Sequence, residues 1–303
     1  MVFLALTVLL PGLAHARQAS PETPTRTTAI ETLIDAGRLA QACEELAKLL
    51  AAQEETLVTR YLAAKLLFRE RRFAASLETL APLMQQATGP IKAEAHKLTG
   101  LNYAQLNRLD LAEPFLQAAS ELAPIDHLAH FHLGMLYYTT SRFAAAESEF
   151  RRVVTLKPAF VKGHDALGLA LEELGRDEDA IRAYRRAIEL TEQQQLREGS
   201  PYVNLGKFLL TKSRWAESLP PLQKAVQLTP GSAEAWFLWG KSLLKSGCEE
   251  DAVQALTKAV QLAADYAEAH YLLSRIYLQQ GRTAEAQKEL QIFQALQSRK
   301  NNR

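Results

Sequence analysis

The sequence predicts an all-α solenoid of about eight consecutive 34-residue helix-turn-helix repeats. Glycines recur at this interval: Gly100, Gly134 and Gly168 are 34 residues apart, and so are Gly206 and Gly240. With these glycines counted as position 8, position 20 carries Ala or Ser in all eight repeats and position 24 carries Leu, Phe or Tyr. A fixed period of this length is the signature of stacked supersecondary units.

Each repeat is predicted to be a helical hairpin. Positions 4, 7, 8 and 11 share one face of a first helix, and positions 20, 24 and 27 share one face of a second. Small residues at positions 8 and 20 let the two backbones approach, and the large residue at position 24 fills the groove around them. Position 15 carries Gly or Asn in five repeats, which predicts a left-handed residue that ends the first helix. One hairpin cannot bury both faces, so neighbours are expected to stack.

The segment AHFHLGMLYY, residues 129–138, is followed by Ala146, Phe150 and Pro158, and AWFLWGKSLL, residues 235–244, repeats the pattern. These residues resemble the tetratricopeptide repeat, in which Trp-x2-Leu-Gly-x2-Tyr precedes an Ala, an aromatic residue, an Ala and a Pro. The resemblance covers roughly residues 23–300 and implies a right-handed superhelical solenoid. The predicted units are 23–56, 57–90, 93–126, 127–160, 161–194, 199–232, 233–266 and 267–300.

The sequence departs from the strict 34-residue pattern in three places, and each departure predicts a local change in structure. The four added residues 195–198 amount to about one helical turn, so they are expected to lengthen a second helix. Two residues are added near Gly89-Pro90, where a longer turn is expected. Pro82 lies inside a second helix and is expected to kink or shorten it.

The N-terminal residues predict export. Residues 2–13 form an apolar run, and Ala14-His15-Ala16 follows in the small-x-small pattern that precedes signal cleavage. Residues 1–16 are therefore assigned to a signal peptide and residues 17–22 to a flexible leader, and the protein is expected in the periplasm or secreted. Without a working signal it would be cytoplasmic. The alternative is a buried apolar segment, whereas a membrane span needs about 20 apolar residues.

Composition excludes several function classes. Lys plus Arg and Asp plus Glu number 35 and 34, so no overall charge draws the chain to nucleic acid or to an anionic membrane. Cys43 and Cys248 are expected in distant repeats, where no disulfide can join them. No HExxH, GxSxG or paired-cysteine spacing occurs, so neither an enzyme nor a cofactor is expected.

Two local features invite other interpretations. Gly240-Lys241-Ser242 resembles the end of a phosphate-binding loop, but that motif needs a glycine where Ala235 stands, and a loop rather than a helix. His127, His130 and His132 lie close together in the sequence and, with His96 and His164, invite the interpretation of a zinc site. Packing is the simpler account, because four histidines of the chain occupy position 4, where the repeat has a bulky residue. These are His96, His130, His164 and His270.

The expected function is a non-enzymatic scaffold that binds a protein or peptide partner in the concave groove. Positions 2, 5, 9 and 12 of each first helix form a stripe turned away from the packing face. In the last three repeats, this stripe combines Lys207, Lys241 and Arg275 with Phe237 and Tyr271. Such a surface suits an extended peptide with acidic and apolar side chains. The candidate site also includes Tyr61, Lys65, Phe68, Phe131 and Tyr138.

Three alternatives stay open beside this site. Glu234 and Glu268 could neutralise its cations through ion pairs between repeats. The terminal helix, residues 285–299, could instead mediate self-association in a structural or assembly subunit, because no further helix covers its apolar residues. The resemblance also implies a clamp for chaperone C-terminal tails, but Asn204 is the only matching residue here, so that subclass is disfavoured.

Overall fold

The computed structural model describes residues 23–52 and 55–301, which form consecutive helical hairpins without a strand. The expected signal peptide and leader lie outside these residues. The prediction of an all-α fold of helix-turn-helix repeats is confirmed. The chain divides between Pro158 and Ala159 into two compact units, each holding four of the described hairpins.

The helices of each unit are numbered in chain order, and every odd-numbered helix is the first of a hairpin. The first unit comprises α1 (Thr23–Asp35), α2 (Leu39–Ala51), α3 (Leu57–Arg69), α4 (Phe73–Gln86), α5 (Gly89–Gln105), α6 (Leu109–Leu122), α7 (His127–Thr139) and α8 (Phe143–Leu156). The second unit comprises α9 (Val161–Glu173), α10 (Asp177–Gln193), α11 (Ser200–Thr211), α12 (Trp215–Leu228), α13 (Ala233–Lys245), α14 (Glu249–Leu262), α15 (Ala267–Gln279) and α16 (Thr283–Asn301).

The glycine at position 8 is a close-packing contact inside each hairpin that has one. A Cβ at Gly206 would lie 2.3 Å from Cγ of Leu222, and one at Gly168 would lie 2.5 Å from the Tyr184 ring. Both contacted residues occupy position 24 and are fully buried. The two helices therefore approach so closely that no side chain fits between them, as the small-and-large pattern predicts.

Position 15 is left-handed in every described hairpin, including three whose sequence carries neither Gly nor Asn. The φ angle there lies between 57° and 83°. The residues are Gly37, Arg71, Asn107, Ser141, Gly175, Ser213, Gly247 and Gly281. The turn geometry is thus set by the hairpin, and the residue type follows it only in part.

Successive hairpins within a unit stack through the second helix of one and the first helix of the next. Leu256 and Ala259 of α14 share a buried cluster with Ala269, Leu273 and Ile276 of α15. In repeat numbering, positions 24 and 27 are covered by positions 3, 7 and 10 of the following hairpin. This interface places positions 5 and 9 of each first helix on another face of that helix.

The departures from the period have mixed outcomes. The second helix before the added residues is longer, as expected, since α10 has 17 residues where α12 has 14, but residues 195–198 themselves lie in the connection after Gln193. The longer turn expected at Gly89-Pro90 is wrong, because α5 begins at Gly89 with Pro90 in its first turn. Proline is tolerated there since its missing N–H would have no helical partner. Pro82 does not shorten α4, whose 14 residues equal those of α6.

Among residues 23–52 and 55–301, no helix has both the length and the apolar character required to cross a membrane.

Candidate partner-binding site

Three cations occupy position 9 on successive first helices of the second unit, and we call Lys207, Lys241 and Arg275 the basic row. Lys207 and Arg275 are exposed and Lys241 is half-buried. Each cation directly follows the small residue at position 8, which faces the second helix of the same hairpin. Because neighbouring residues of a helix point in different directions, the cation points away from that second helix. In the part of the chain that the structure describes, no carboxylate oxygen lies within 4.0 Å of these side-chain nitrogens.

The expected neutralising partners of the basic row lie elsewhere. Glu234 and Glu268 are exposed, and neither forms an ion pair with Lys207, Lys241 or Arg275. Burial first, and then the charges of the two glutamates, raise the pKa of Tyr266 to about 12. The ion-pair alternative therefore has no support in the geometry of the described residues.

The two aromatic rings expected beside the basic row, those of Phe237 and Tyr271, differ in their exposure to solvent. The Phe237 ring is buried, with its centroid 4.8 Å from that of Tyr266, so it belongs to the core. Tyr271 is 40% exposed and packs on Phe293 with centroids 5.2 Å apart. The Arg275 guanidinium lies 5.9 Å from the Tyr271 ring centroid, within cation-π range. Of these two rings, that of Tyr271 offers an exposed face next to a cation of the row.

The candidate residues of α3 in the first unit are already engaged by other side chains. The Lys65 ammonium lies 2.8 Å from Glu31 and 2.9 Å from Asp35, both on α1. Tyr61 is buried, and its hydroxyl donates to Glu94 over 2.9 Å. Burial and the Glu94 charge raise the pKa of Tyr61 above its usual range. Phe68 is half-buried and packs on Phe73 with centroids 5.7 Å apart.

Phe131 and Tyr138 give α7 a partly apolar face. Both are half-buried. The Phe131 ring lies 6.0 Å from that of Phe150, and the Tyr138 ring lies 5.5 Å from that of Phe143. Each ring therefore packs on the second helix of its own hairpin and leaves part of its surface open. The structure thus groups Lys207, Lys241, Tyr271 and Arg275 in the second unit, and places the other candidates in the core or in the first unit.

Asn204, the only residue that matches the resemblance-implied clamp, is held by an acidic neighbour. Its side-chain amide donates to both carboxylate oxygens of Asp165 at 3.0 Å. Burial raises the pKa of Asp165 to about 6, although the Asn204 hydrogen bond opposes that shift. This polar contact between α9 and α11 was not predicted as a pair. Its sequence signal is an acid at position 5 followed by Asn at position 6 of the next repeat.

Two histidines at position 4 make the same pair of hydrogen bonds. Nδ1 of His130 lies 2.7 Å from Glu149, and its Nε2 lies 3.2 Å from the Pro124 carbonyl oxygen. His270 repeats these contacts with Glu289 and the Ala264 carbonyl. They link the first helix to its own second helix and to the preceding loop. Residues 23–52 and 55–301 contain no group of three or more His, Cys, Asp or Glu side chains that could hold a metal ion.

Family models match three stretches of the sequence. Residues 161–194 and residues 243–294 match models described as tetratricopeptide repeat. Residues 18–171 match a model described as T7SS, ESX-1 secretion system protein EccA1, N-terminal domain.

Two curated proteins share part of their sequence with the chain. The peroxisomal targeting signal receptor of Saccharomyces cerevisiae is 32% identical over 94 residues, which are 31% of this chain and 15% of that protein. The anaphase-promoting complex subunit CDC16 of the same yeast is 23% identical over 161 residues, which are 50% of this chain and 18% of that protein. The chain therefore spans only a small part of the length of these relatives.

Solved structures with the same architecture cover most of the chain. The Cut9-Hcn1 hetero-tetramer of APC/C superposes with a TM-score of 0.68 at 16% identity, over 82% of this chain and 48% of that one. YrrB, described as a TPR protein with an unusual peptide-binding site, gives a TM-score of 0.50 at 21% identity, over 64% and 96% of the two chains. At such identities the likeness shows the fold alone.

Proposed function

Since the chain belongs to the tetratricopeptide repeat family, and over residues 18–171 to the family of the EccA1 N-terminal domain, we propose that it is a non-enzymatic scaffold for a partner protein. The bound element is an extended acidic segment of that partner, and the basic row is its binding site. The carrying observation is that three successive cations lack a carboxylate within 4.0 Å among the described residues, whereas Lys65 at the same repeat position is paired twice.

The spacing of the row favours a particular peptide conformation. Packed helices lie about 8–10 Å apart, and α11 and α13 contact each other. A polyproline II segment rises about 3.1 Å per residue with three residues per turn, so it presents every third side chain on one face about 9 Å apart. A segment with an acid at every third position can therefore place two successive acids near Lys207 and Lys241, which lie on the contacting helices α11 and α13. Tyr271 offers an apolar ring to a residue near Arg275.

The relatives support a peptide as the ligand. One is a receptor for a targeting signal, and YrrB is described as having a peptide-binding site. The proposal for this chain rests on its own unpaired cations and takes from the relatives only the class of ligand.

The test uses a fluorescent peptide with glutamate at every third position between prolines. The variant Lys207→Glu, Lys241→Glu, Arg275→Glu should weaken binding at least tenfold at low salt and leave the melting temperature unchanged. Its control is Lys224→Glu, Lys258→Glu, Lys288→Glu, which makes the same change in charge on the second helices of the same unit. If both triple variants lost the same affinity for the peptide, the effect would come from overall charge. If the basic-row variant bound the peptide as tightly as the wild type, the peptide would bind elsewhere.

We also propose that the protein is exported after cleavage behind Ala16, on the basis of the apolar run and the small residues that follow it. N-terminal sequencing of protein made in an exporting host should give Arg17 as the first residue. Recovery of an intact Met1 in the cytosol would contradict export.

A further inference from the structure

The helix that precedes the basic row, α9, carries acids on the stripe that carries cations further along the second unit. Its positions 5, 9 and 12 are Asp165, Leu169 and Glu172. Two observations show that this stripe lies beside that of α11. The Asn204 amide of α11 donates to Asp165 over 3.0 Å, and the charge of Lys207 acts on Glu172. The groove of the second unit therefore changes from acidic at α9 to basic at α11, α13 and α15.

The residues added between the fifth and sixth repeats bring a second carboxylate, that of Glu198, towards Asp165. Both side chains are half-buried, and no cationic nitrogen lies within 4.0 Å of either carboxylate among the described residues. The nearby cations in the sequence, Lys162 and Arg197, are exposed and pair with neither. Burial raises the pKa of Asp165 to about 6; the Asn204 hydrogen bond opposes this shift and the charge of Glu198 adds to it. The Asp165 carboxylate therefore lies in a place that favours an added positive charge.

The first unit shows how such a pair of carboxylates is completed by a lysine. The ammonium group of Lys97 lies 2.6 Å from Glu94 and 2.6 Å from Asp126, although the lysine side chain is only 11% exposed. Charge-assisted hydrogen bonds to both carboxylates offset the cost of burying these groups. Asp165 and Glu198 form a comparable pair that lacks a cation among the described residues.

We propose that Asp165, together with Glu198, binds a lysine or arginine of the same partner segment whose acids follow the basic row. This inference rests on the proposed function and adds a reversal of charge to its ligand. The helices α9 and α11 contact each other, as α11 and α13 do, so their axes lie about 8–10 Å apart. One turn of polyproline II covers about 9 Å, so the residue three positions beyond the acid at Lys207 reaches α9. A basic side chain there can lay its alkyl stem on the half-buried Leu169 and carry its charge to Asp165.

The same carboxylates decide what the segment cannot carry at that position. An acidic residue there would meet the charges of Asp165, Glu198 and Glu172, and like charges brought together across an interface disfavour binding. Residues 23–52 and 55–301 contain no group of three or more His, Cys, Asp or Glu side chains that could hold a metal ion, so the cation we assign is a side chain of the partner. The acids of α9 therefore set where the acidic part of the segment ends and in which direction it lies.

The experiment extends the fluorescent acidic peptide by one turn of polyproline II. The residue three positions beyond the last glutamate is Lys, Ala or Glu, at the N-terminal end in one series and at the C-terminal end in a second. Affinity for the full chain is measured by fluorescence anisotropy at low salt. The variant Asp165→Asn, Glu198→Gln removes the two charges. Its control, Glu250→Gln, Asp251→Asn, removes the same charge at exposed residues in the first turn of α14.

In at least one series, we expect the wild type to bind the Lys peptide at least fivefold more tightly than the Ala peptide, and the Glu peptide least tightly. The variant of Asp165 and Glu198 should reduce this preference to less than twofold without lowering the melting temperature, and the control variant should keep it. Equal affinities of the three peptides in both series would overturn the inference and leave the proposed function intact. A Lys preference that persists in the variant of Asp165 and Glu198 would also overturn it. If none of the peptides bound, the inference and the proposed function would fall together.

Discussion

At Gly206, a single hydrogen atom sets how closely two helices pack. A methyl group there would meet Leu222, which is fully buried and cannot move into solvent. We expect Gly206→Ala to lower the free energy of unfolding by about 1–3 kcal/mol through overpacking. The control is Gly231→Ala, because nothing lies within 4 Å of a Cβ at that turn residue. Urea denaturation measures both, and an equal small effect at the two glycines would contradict the close-packing account.

Position 15 predicts a stabilising substitution. Ser213 is held at a φ of 58°, a left-handed conformation that disfavours residues with a Cβ. Ser213→Gly should therefore raise the free energy of unfolding by about 0.5–1 kcal/mol, which is the strain relieved less the backbone entropy that glycine loses. At Ser246, where φ is −90°, only the entropy loss remains, so Ser246→Gly should be destabilising. Melting curves that shift in the same direction for both variants would refute this.

At the scale of helices, buried polar residues form pairs between the second helix of one hairpin and the first helix of the next. The Ser218 hydroxyl on α12 lies 2.6 Å from the Ser242 hydroxyl on α13, and both side chains are fully buried. Ser76 and Asn102 form the same kind of pair, with the Asn102 amide donating to Ser76 Oγ over 3.0 Å. Wherever position 20 is Ser instead of Ala, position 10 of the next repeat is polar.

This pairing predicts a coupling energy. Ser218→Ala and Ser242→Ala should each lower the free energy of unfolding, because each removes one partner of a buried hydrogen bond. The double variant should lose less than the sum of the two by about 1 kcal/mol, since each single variant leaves the other hydroxyl with only the Trp215 carbonyl oxygen as its partner. A double-mutant cycle by urea denaturation measures this difference. Strict additivity would mean that the two hydroxyl groups do not interact.

The same scale shows why the hairpins could be predicted and part of the candidate site could not. Positions 8, 20 and 24 report contacts within one hairpin, so their residue types fix the helices directly. The exposure of position 5 depends on what the following hairpin places over it. Tyr61 is buried beneath Glu94 of α5, whereas no described hairpin follows Tyr271. A pattern taken from one repeat does not contain that difference.

Pairing at position 9 depends likewise on the preceding hairpin. Lys65 meets Glu31, which occupies position 9 on α1, and Asp35 one turn further along. Lys207 follows Leu169 at the corresponding place and has no carboxylate within 4.0 Å among the described residues, although its charge acts on Glu172 of the preceding hairpin. Comparing position 9 of successive repeats would have separated the paired lysine from the basic row.

At the scale of the whole molecule, the two compact units carry buried groups whose titration has opposite effects. In the first unit, burial and the Lys97 charge lower the pKa of His132 from 6.5 to about 4. The unfolded chain therefore binds more protons between these values, and the free energy of unfolding falls as the pH falls through them. In the second unit, Asp165 has a pKa of about 6 against an ordinary 3.8. There the folded chain binds more protons, and the free energy of unfolding rises as the pH falls.

The position of the tryptophans lets the two effects be measured separately. All three, Trp215, Trp236 and Trp239, lie in the second unit, so their fluorescence follows the unfolding of that unit while circular dichroism follows both. At pH 7, Asp165→Asn should stabilise the fluorescence-detected transition by about 1–2 kcal/mol, because it removes the cost of a buried carboxylate and keeps an acceptor for Asn204. That advantage should vanish toward pH 4, where Asp165 is protonated in wild type.

In the first unit, His132→Gln is the variant that matches Asp165→Asn in the second. His132→Gln should leave the fluorescence transition unchanged at every pH and should reduce the loss of stability that circular dichroism detects between pH 6.5 and pH 4, by about 1–2 kcal/mol. If Asp165→Asn gave the same difference from wild type at pH 7 and pH 4, the carboxyl would not titrate in this range. If His132→Gln shifted the fluorescence transition, acid sensitivity would not divide between the units, because the two would unfold as one.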